Sequence, residues 1–516
     1  MRDWLAFNKP ERMVDRCTQI ARSIEQCAVK IEPDDLERNG HRGRPCHARY
    51  GNRKQLVAWR LTMSAETPLA IITLAAGQGT RMNSALHKVL HPIAGRPMIE
   101  HLLASAAELN PARQVVVAGH GREQLEALLG TRAVIAVQDP QLGTGHAVQQ
   151  AEAALTGFDG VVLVLYGDVP FVTAATMRAM IARLQVPDQP AVVVLGFEPA
   201  DTLRYGRVIA DGDRIVKMVE HNDASEAERD CRLCNSGLMA LRSTDLFGLL
   251  TRVGNGNAAG EYYLVDVVNL ANADGQTCAV VVAADPGEVQ GINSRSELAQ
   301  AEAWWQARRR SSAMDNGATL IAPETVWFAW DTKLGRDVLI EPNVMFGPGV
   351  SVADNVKIRA NCHIEGASIA SGCEVGPFAR LRPGTVLQAK AKIGNFVEVK
   401  KSVMGVGAKA NHLSYIGDAE VGADANLGAG TITCNYDGYF KYKTVIGERA
   451  FIGSNSALIA PVKIGADAIV AAGSAVTRDV AAGELRLVRA EQLVKPGWAD
   501  RFHDAMKKKQ AAEKKG

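Results

Sequence analysis

Apolar runs separated by helical patterns dominate the chain from residue 69 to about 293: AIITLAAG, VVVAG (115–119), AVIAV (133–137), VVLVLYGD (161–168), AVVVLGF (191–197) and CAVVVAA (278–284). Unbroken β-branched runs between helices predict a parallel sheet covered on both faces, an open doubly wound Rossmann-like α/β domain. Ligands of such sheets sit beyond the carboxyl ends of the strands. Two glycine-containing turns lie at such ends, LAAGQGTRM (74–82) and LYGDVP (165–170).

SRSELAQAEAWWQARRR (294–310) carries helix formers and neither Pro nor Gly, and predicts a connecting helix with Trp304 and Trp305 packed at a domain junction. The period then changes. Ile340, Phe346, Val352, Ile358 and Ile364 recur every six residues, as do Ile446, Ile452, Leu458, Ile464, Val470 and Val476. Neither a helix nor an ordinary strand keeps a six-residue period on one face. A triangular coil of short parallel strands does, turning one apolar side chain inward at each face. A left-handed parallel β-helix of hexapeptide repeats is therefore expected over 319–488. Between 378 and 442 the sequence is less regular and more polar, which predicts an interruption of the coil. The expected organisation is an atypical segment 1–62 upstream of Met63, foreign in composition and not native or else disordered; an α/β domain 63–293; a linker helix 294–318; the coil; and a lysine-rich tail 489–516.

Composition narrows the class. Lys and Arg number 58 against 56 Asp and Glu, a net charge of +2, so nothing favours nucleic acid or a membrane surface as partner. No stretch approaches the roughly 20 apolar residues of a bilayer span, and the first residues lack a signal-peptide core. Nine scattered cysteines fit a reducing cytoplasm better than a disulfide framework, and the lone pair Cys231 and Cys234 is most simply a loop coincidence.

The spacing Gly77-x-Gly79-x-x-Met82 is one glycine short of the dinucleotide fingerprint and lacks the Gly-Lys-Ser/Thr ending of a P-loop. Backbone amides in such a turn donate to phosphate oxygens, and Arg81 and Lys88 add two cations, which suits a triphosphate with a leaving pyrophosphate. A tight βα turn with solvated cations is the alternative. Asp168 ends a rigid strand at the same crevice, where a carboxylate facing phosphates needs a Mg²⁺ between them. Its alternative role is a helix N-cap.

G-x-G-T-R-M with a downstream lysine, QLGTGHA (141–147) and LYGDVP together resemble the sugar-nucleotide pyrophosphorylases. From about Leu69 to Arg489 the chain is similar to the bacterial bifunctional N-acetylglucosamine-1-phosphate uridylyltransferase/glucosamine-1-phosphate N-acetyltransferases. The resemblance implies that Leu74, Ala75, Ala76, Gly77 and Lys88 contact the UDP moiety, with Arg81 catalytic on the phosphates. It places Gln138, Gly143 and Thr144 on uracil, Tyr166 and Gly167 in the same pocket, and Gly206, Glu220 and Asn235 on the N-acetylglucosamine. Asp168 and Asn293 are the implied Mg²⁺ ligands. Ser236 stands where this family usually has Thr.

In 378–442, Arg382, Lys400, His412, Tyr415, Asn426, Asn435 and Tyr436 gather more titratable groups than a coil needs, which suggests a second site. His412 is the natural general base, its ordinary pKa lying near neutrality, although a lone His is more often structural. The resemblance implies that His412 deprotonates glucosamine-1-phosphate for attack on acetyl-CoA. Arg382, Lys400, Tyr415 and Asn426 would hold the sugar phosphate, and Ala429, Asn435, Tyr436, Ser454, Ala472 and Arg489 the acetyl-CoA. Cys434 is not needed as a nucleophile. The coil before FARLRPG is about one turn shorter than in familiar members.

The leading expectation is one cytoplasmic, homotrimeric enzyme with two sites, using UTP and acetyl-CoA to make UDP-N-acetylglucosamine. The alternatives are a single-activity nucleotidylyltransferase whose coil only assembles, and a non-catalytic scaffold subunit. The Gly77, Arg81, Lys88 and Asp168 set argues against the scaffold, and His412 with Asn435 and Tyr436 against an inert coil.

Overall fold

A computed structural model describes residues 67–202 and 205–513. The segment 1–62 lies outside the described residues. Nine strands form the first sheet: β1 (Leu69–Ala75), β2 (Arg113–Ala118), β3 (Val134–Val137), β4 (Val161–Tyr166), β5 (Val192–Phe197), β6 (Arg207–Asp211), β7 (Arg214–Val219), β8 (Cys234–Arg242) and β9 (Cys278–Val282). Their spatial order is β3-β2-β1-β4-β8-β5-β9-β7-β6. All six apolar runs become strands. The β3-β2-β1-β4 half is parallel, while β8 lies antiparallel between β4 and β5. This strand escapes the apolar-run reading because CNSG opens it with polar and flexible residues. Every residue of β1 is buried, with Ile72 and Ile71 falling in the cores on opposite faces. A sheet so covered can present ligands only at its strand ends.

The connecting helix α1 (Arg295–Asp315) starts at a capping box, Ser294 accepting from the Glu297 amide while the Glu297 side chain returns to the Ser294 amide. Trp304 stacks on Phe171 at 4.7 Å, and Trp305 packs against both the coil core and a cluster around Met82 and Ile292. Trp305 is therefore a junction residue, whereas Trp304 packs the helix against the first domain.

Beyond α1 the chain winds into three parallel sheets of ten, eight and eight short strands, the faces of a triangular prism. All eleven residues of the six-residue period are buried in a single core. Asn and Asp at corners such as Asn343, Asn355, Asn361 and Asp467 adopt left-handed backbone (φ 58 to 59°), which their short side chains tolerate. The predicted interruption over 378–442 is not there. Strands continue through it, with Leu381, Val399, Ile416 and Leu427 keeping the inward positions, and the departure is confined to a loop at 435–443. Buried Thr385, Ser402, Ser414 and Thr431 blur the period, each returning its hydroxyl to a backbone carbonyl. The tail forms a helix, α2 (Trp498–Glu513). Among the described residues no helix is long and apolar enough to cross a membrane.

Candidate functional sites

The turn after β1 carries Gly79 at φ 63°, and a Cβ there would lie 2.7 Å from the Lys88 Cβ. Glycine is needed both for the left-handed backbone and for the approach of Lys88. Lys88 crosses this loop. Its ammonium donates to Asp168 Oδ2 at 2.5 Å and to Asn293 Oδ1 at 3.0 Å, tying the loop to two segments 80 and 205 residues away in sequence. Asp168 is not a helix cap, since Thr173 caps the helix that follows. One carboxylate and one amide oxygen already converging on a positive charge make a donor set that suits Mg²⁺ completed by phosphate oxygens. No group of three or more His, Cys, Asp or Glu among the described residues is arranged for a metal, Cys231 and Cys234 included.

A cavity of about 330 Å³ opens beside this cluster, and Leu74, Ala75, Ala76, Gly77, Lys88, Gln138, Gly143, Thr144, Tyr166 and Asp168 all line it. Gln138 is buried and donates from Nε2 to the Gly143 carbonyl at 2.9 Å. Gly143 (φ 113°) packs so closely on Tyr262 that a Cβ would sit 2.6 Å from its carbonyl oxygen. Gly167 donates to the Leu74 carbonyl, fixing the Asp168 turn to β1. Gln141, which donates to the Ala76 carbonyl, and Glu261 line the cavity too. Sequence reasoning missed both; Gln141 stands inside the quoted QLGTGHA, whereas nothing around Glu261 marks it. Arg81 sits on a short 3-10 turn with its side chain exposed outside the cavity wall.

Gly206, Glu220 and Asn235 form a neighbouring cluster. The Asn235 amide donates to the Gly206 carbonyl at 2.9 Å, and the Glu220 carboxylate lies against Gly206. Burial, then the negative charges of Asp223 and Asp266, raise the Glu220 pKa. Tyr166 stands between the two clusters: burial raises its phenol pKa, a hydrogen bond to Thr144 opposes the rise, and the charges of Glu220 and Asp168 add to it. Ser236 donates to the Leu195 carbonyl at 2.6 Å, a structural bond.

In the coil, His412 ends a strand stacked on the one holding Asn395, and its Nδ1 lies 2.8 Å from Asn395 Oδ1. The bond assigns the proton to Nδ1 and leaves Nε2 free on an exposed side chain. Asn395 lies inside the polar stretch 378–442 but is not singled out within it. One corner of the prism then descends in a column: Gly430 N donates to His412 O, Asn455 N to Ala429 O, and Gly473 N to Ser454 O, while Arg489 closes on the Ala472 carbonyl at 3.0 Å. The same corner holds Phe378, Phe396 and Leu413 in left-handed backbone (φ 51 to 55°), conformations that cost bulky residues energy and cluster at functional sites.

The adjoining face carries Tyr415 near this corner and Lys400 and Arg382 toward its far end. Lys441, also unforeseen, and Arg382 crowd Lys400 and lower its pKa, a cation cluster suited to a phosphate. Asn435 donates to Asp418 at 2.5 Å, while Tyr436 is exposed on the loop. Burial raises the Cys434 thiol, which suits a bystander. Asn426 does not join the others. It opens a strand beside Lys409 on a different face from Tyr415 and Lys400.

Comparison with known proteins agrees with this division. Residues 71–211 match the family model described as MobA-like NTP transferase domain. Residues 331–366 match the bacterial transferase hexapeptide and 443–478 the hexapeptide repeat of succinyl-transferase. "Bifunctional protein GlmU" of Sphingopyxis alaskensis is 75% identical over 448 residues, covering 87% of this chain and 99% of that protein. The proteins of that name from Novosphingobium aromaticivorans (78% identity) and Zymomonas mobilis (55% identity) are each covered over 100% of their length and 87% of this chain.

Proposed function

The chain belongs to the bifunctional GlmU family, and from that premise we propose that it makes UDP-N-acetylglucosamine at two sites. The coil acetylates glucosamine-1-phosphate from acetyl-CoA, and the nucleotidyltransferase domain then joins the product to UTP with release of pyrophosphate. The observation that carries the first-domain reading is the convergence of Lys88, Asp168 and Asn293 beside the 330 Å³ cavity.

In that cavity Gln138, Gly143 and Thr144 read the uracil edge, a buried amide being suited to a donor–acceptor pattern. Glu220 and Asn235 accept from and donate to the sugar, with Gly206 giving room for its ring. The 1-phosphate oxygen attacks the α-phosphorus of UTP in line, and pyrophosphate leaves from the opposite side. Lys88 and Arg81 hold the phosphates and offset the developing charge. When bound at Asp168 and Asn293, Mg²⁺ supplies further charge neutralisation.

In the coil, His412 Nε2 takes a proton from the amine as the nitrogen attacks the thioester carbonyl, and as the C–S bond breaks that proton passes to the sulfur, so coenzyme A leaves as the thiol. Arg382, Lys400 and Tyr415 hold the sugar phosphate. Ala429, Asn435, Tyr436, Ser454, Ala472 and Arg489 line the acetyl-CoA side, down the corner column. Asn426, on another face, supports a homotrimer in which a neighbouring copy completes the site. A cytoplasmic location fits substrates of this kind.

Paired assays test the division of labour. Asp168→Ala should abolish UTP-dependent pyrophosphate release and spare acetyl transfer, while His412→Ala should do the reverse. Loss of both activities in either variant contradicts two independent sites.

A further inference from the structure

The two oxygens best suited to a divalent cation are held by the Lys88 ammonium, which donates to Asp168 Oδ2 at 2.5 Å and Asn293 Oδ1 at 3.0 Å. Both charged side chains are largely screened from water, Lys88 being 11% and Asp168 17% exposed. A charge-assisted bond in such a setting is among the stronger polar contacts a protein makes. A dication and an ammonium cannot share these two oxygens, since like charges at contact distance repel strongly where water is scarce.

We infer that Lys88 is an internal gate on the metal site, keeping it closed to divalent cations until nucleotide phosphates draw the ammonium away. The inference rests on the reading of Asp168 and Asn293 as metal ligands. The route for the movement is on the same side chain. Lys88 packs across the phosphate-facing turn, its Nζ 3.9 Å from where a Gly77 Cβ would be and its Cβ 2.7 Å from that of a residue at 79. A triphosphate on the turn amides therefore presents its oxygens beside Nζ. Transfer of the ammonium from one carboxylate to phosphate frees Asp168 and Asn293 when phosphate oxygens arrive to complete an octahedral shell. Metal and nucleotide binding are coupled by this exchange, each raising the affinity for the other. The gate also keeps a half-buried carboxylate paired in the free protein, which an empty metal site would leave as a lone charge.

Electron paramagnetic resonance titration of Mn²⁺ into the full chain, without nucleotide, tests this directly. Wild type should bind Mn²⁺ weakly, and Lys88→Met at least about tenfold more tightly, a difference of about 1.4 kcal/mol. Lys88→Arg, which keeps a cation against Asp168, should stay weak and controls for a general loosening of the fold. Adding a non-hydrolysable UTP analogue should tighten Mn²⁺ binding to wild type by a similar factor. Equal Mn²⁺ affinity in wild type and Lys88→Met overturns the gate. Asp168→Asn separates the two readings: if it leaves Mn²⁺ binding with the analogue unchanged, the metal-site assignment itself fails and the gate with it.

Discussion

His412 and Asn395 lie one coil apart on the same face of the prism, Nδ1 to Oδ1 at 2.8 Å, although 17 residues separate them in sequence. The bond leaves Nε2 as the basic nitrogen of the ring. His412→Ala is expected to lower kcat for acetyl transfer by about 10²–10⁴, the range for loss of a general base. Asn395→Ala keeps the base and loses its orientation. One hydrogen bond of about 0.5–1.5 kcal/mol corresponds to a loss of roughly 2–10-fold. Uridylyl transfer, measured in parallel as pyrophosphate release, should not change in either variant. An Asn395→Ala enzyme as impaired as His412→Ala would mean that the contact does more than orient the ring.

Gly79→Ala probes the first site through its backbone. The left-handed φ of 63° costs an alanine about 1–2 kcal/mol, and the new Cβ meets Lys88 at 2.7 Å. The loop cannot then keep both its turn and the position of Lys88. The KM for UTP should rise by about 5–30-fold, the factor equivalent to that energy, while acetyl transfer is unchanged. Steady-state kinetics of both reactions on one preparation would decide it, and an unaltered KM would refute the role of the turn.

Glu220 links a pKa to stability. Burial, with Asp223 and Asp266 adding like charge, favours its neutral form in the folded protein. The raised pKa means that folding is helped by protonation: its contribution is complete below the ordinary carboxylate pKa and is lost as pH rises through the folded value. Glu220→Gln should therefore raise Tm at neutral pH, and the gap to wild type should close as pH falls toward the ordinary carboxylate range. Thermal melts across pH measure this. The same variant should bind N-acetylglucosamine-1-phosphate less well, a conflict between stability and function common at binding sites.

Much of this architecture is legible in one sequence because its periods are long and apolar. Six β-branched runs and eleven hexapeptide positions need no tertiary information, and each is where its period put it. The antiparallel strand Cys234–Arg242 is not legible, since its pairing with two distant strands is decided by the sheet and its first residues are polar. The continuity of the coil through 378–434 was hidden for another reason. Thr385, Ser402, Ser414 and Thr431 occupy interior positions as polar residues, and only their hydroxyl bonds to carbonyls make that tolerable. Lys88 and His412 stand out in the sequence by their chemistry, and the structure gathers Asp168 with Asn293, and Asn395, around them. Asn395 and Lys441 do not stand out, because Asn395 meets His412 only by stacking one coil on another and Lys441 meets Lys400 only through the fold of the 435–443 loop.

Stacking also concentrates stability in the interior positions. Ile452, fully buried between Leu427 and Val470, can relax only against its two neighbouring coils. Ile452→Ala should cost about 2–5 kcal/mol. Lys463→Ala, whose side chain points outward from the coil, should fall within about 0.5 kcal/mol of wild type. Denaturant unfolding followed by circular dichroism compares them.

Asn426 gives the sharpest test of how the acetyl-transfer site is assembled. It begins a strand on the face that ends at the His412 corner, but beside Lys409, three residues earlier along that face. At about 3.3 Å per residue that is roughly 10 Å from the corner, and Tyr415, Lys400 and Arg382 lie around the corner on the next face. Within one chain the two residues stand well apart along the face, and the expectation is that a neighbouring copy packed on this face brings Asn426 to the sugar phosphate. His412→Ala and Asn426→Ala should each be poor in acetyl transfer alone. Mixed, dissociated and reassembled, they should regain a substantial part of the activity, because some interfaces then pair an intact His412 with an intact Asn426 from the other copy. If the mixture is no more active than the average of its components, the site is built within one chain and Asn426 acts there only through the coil.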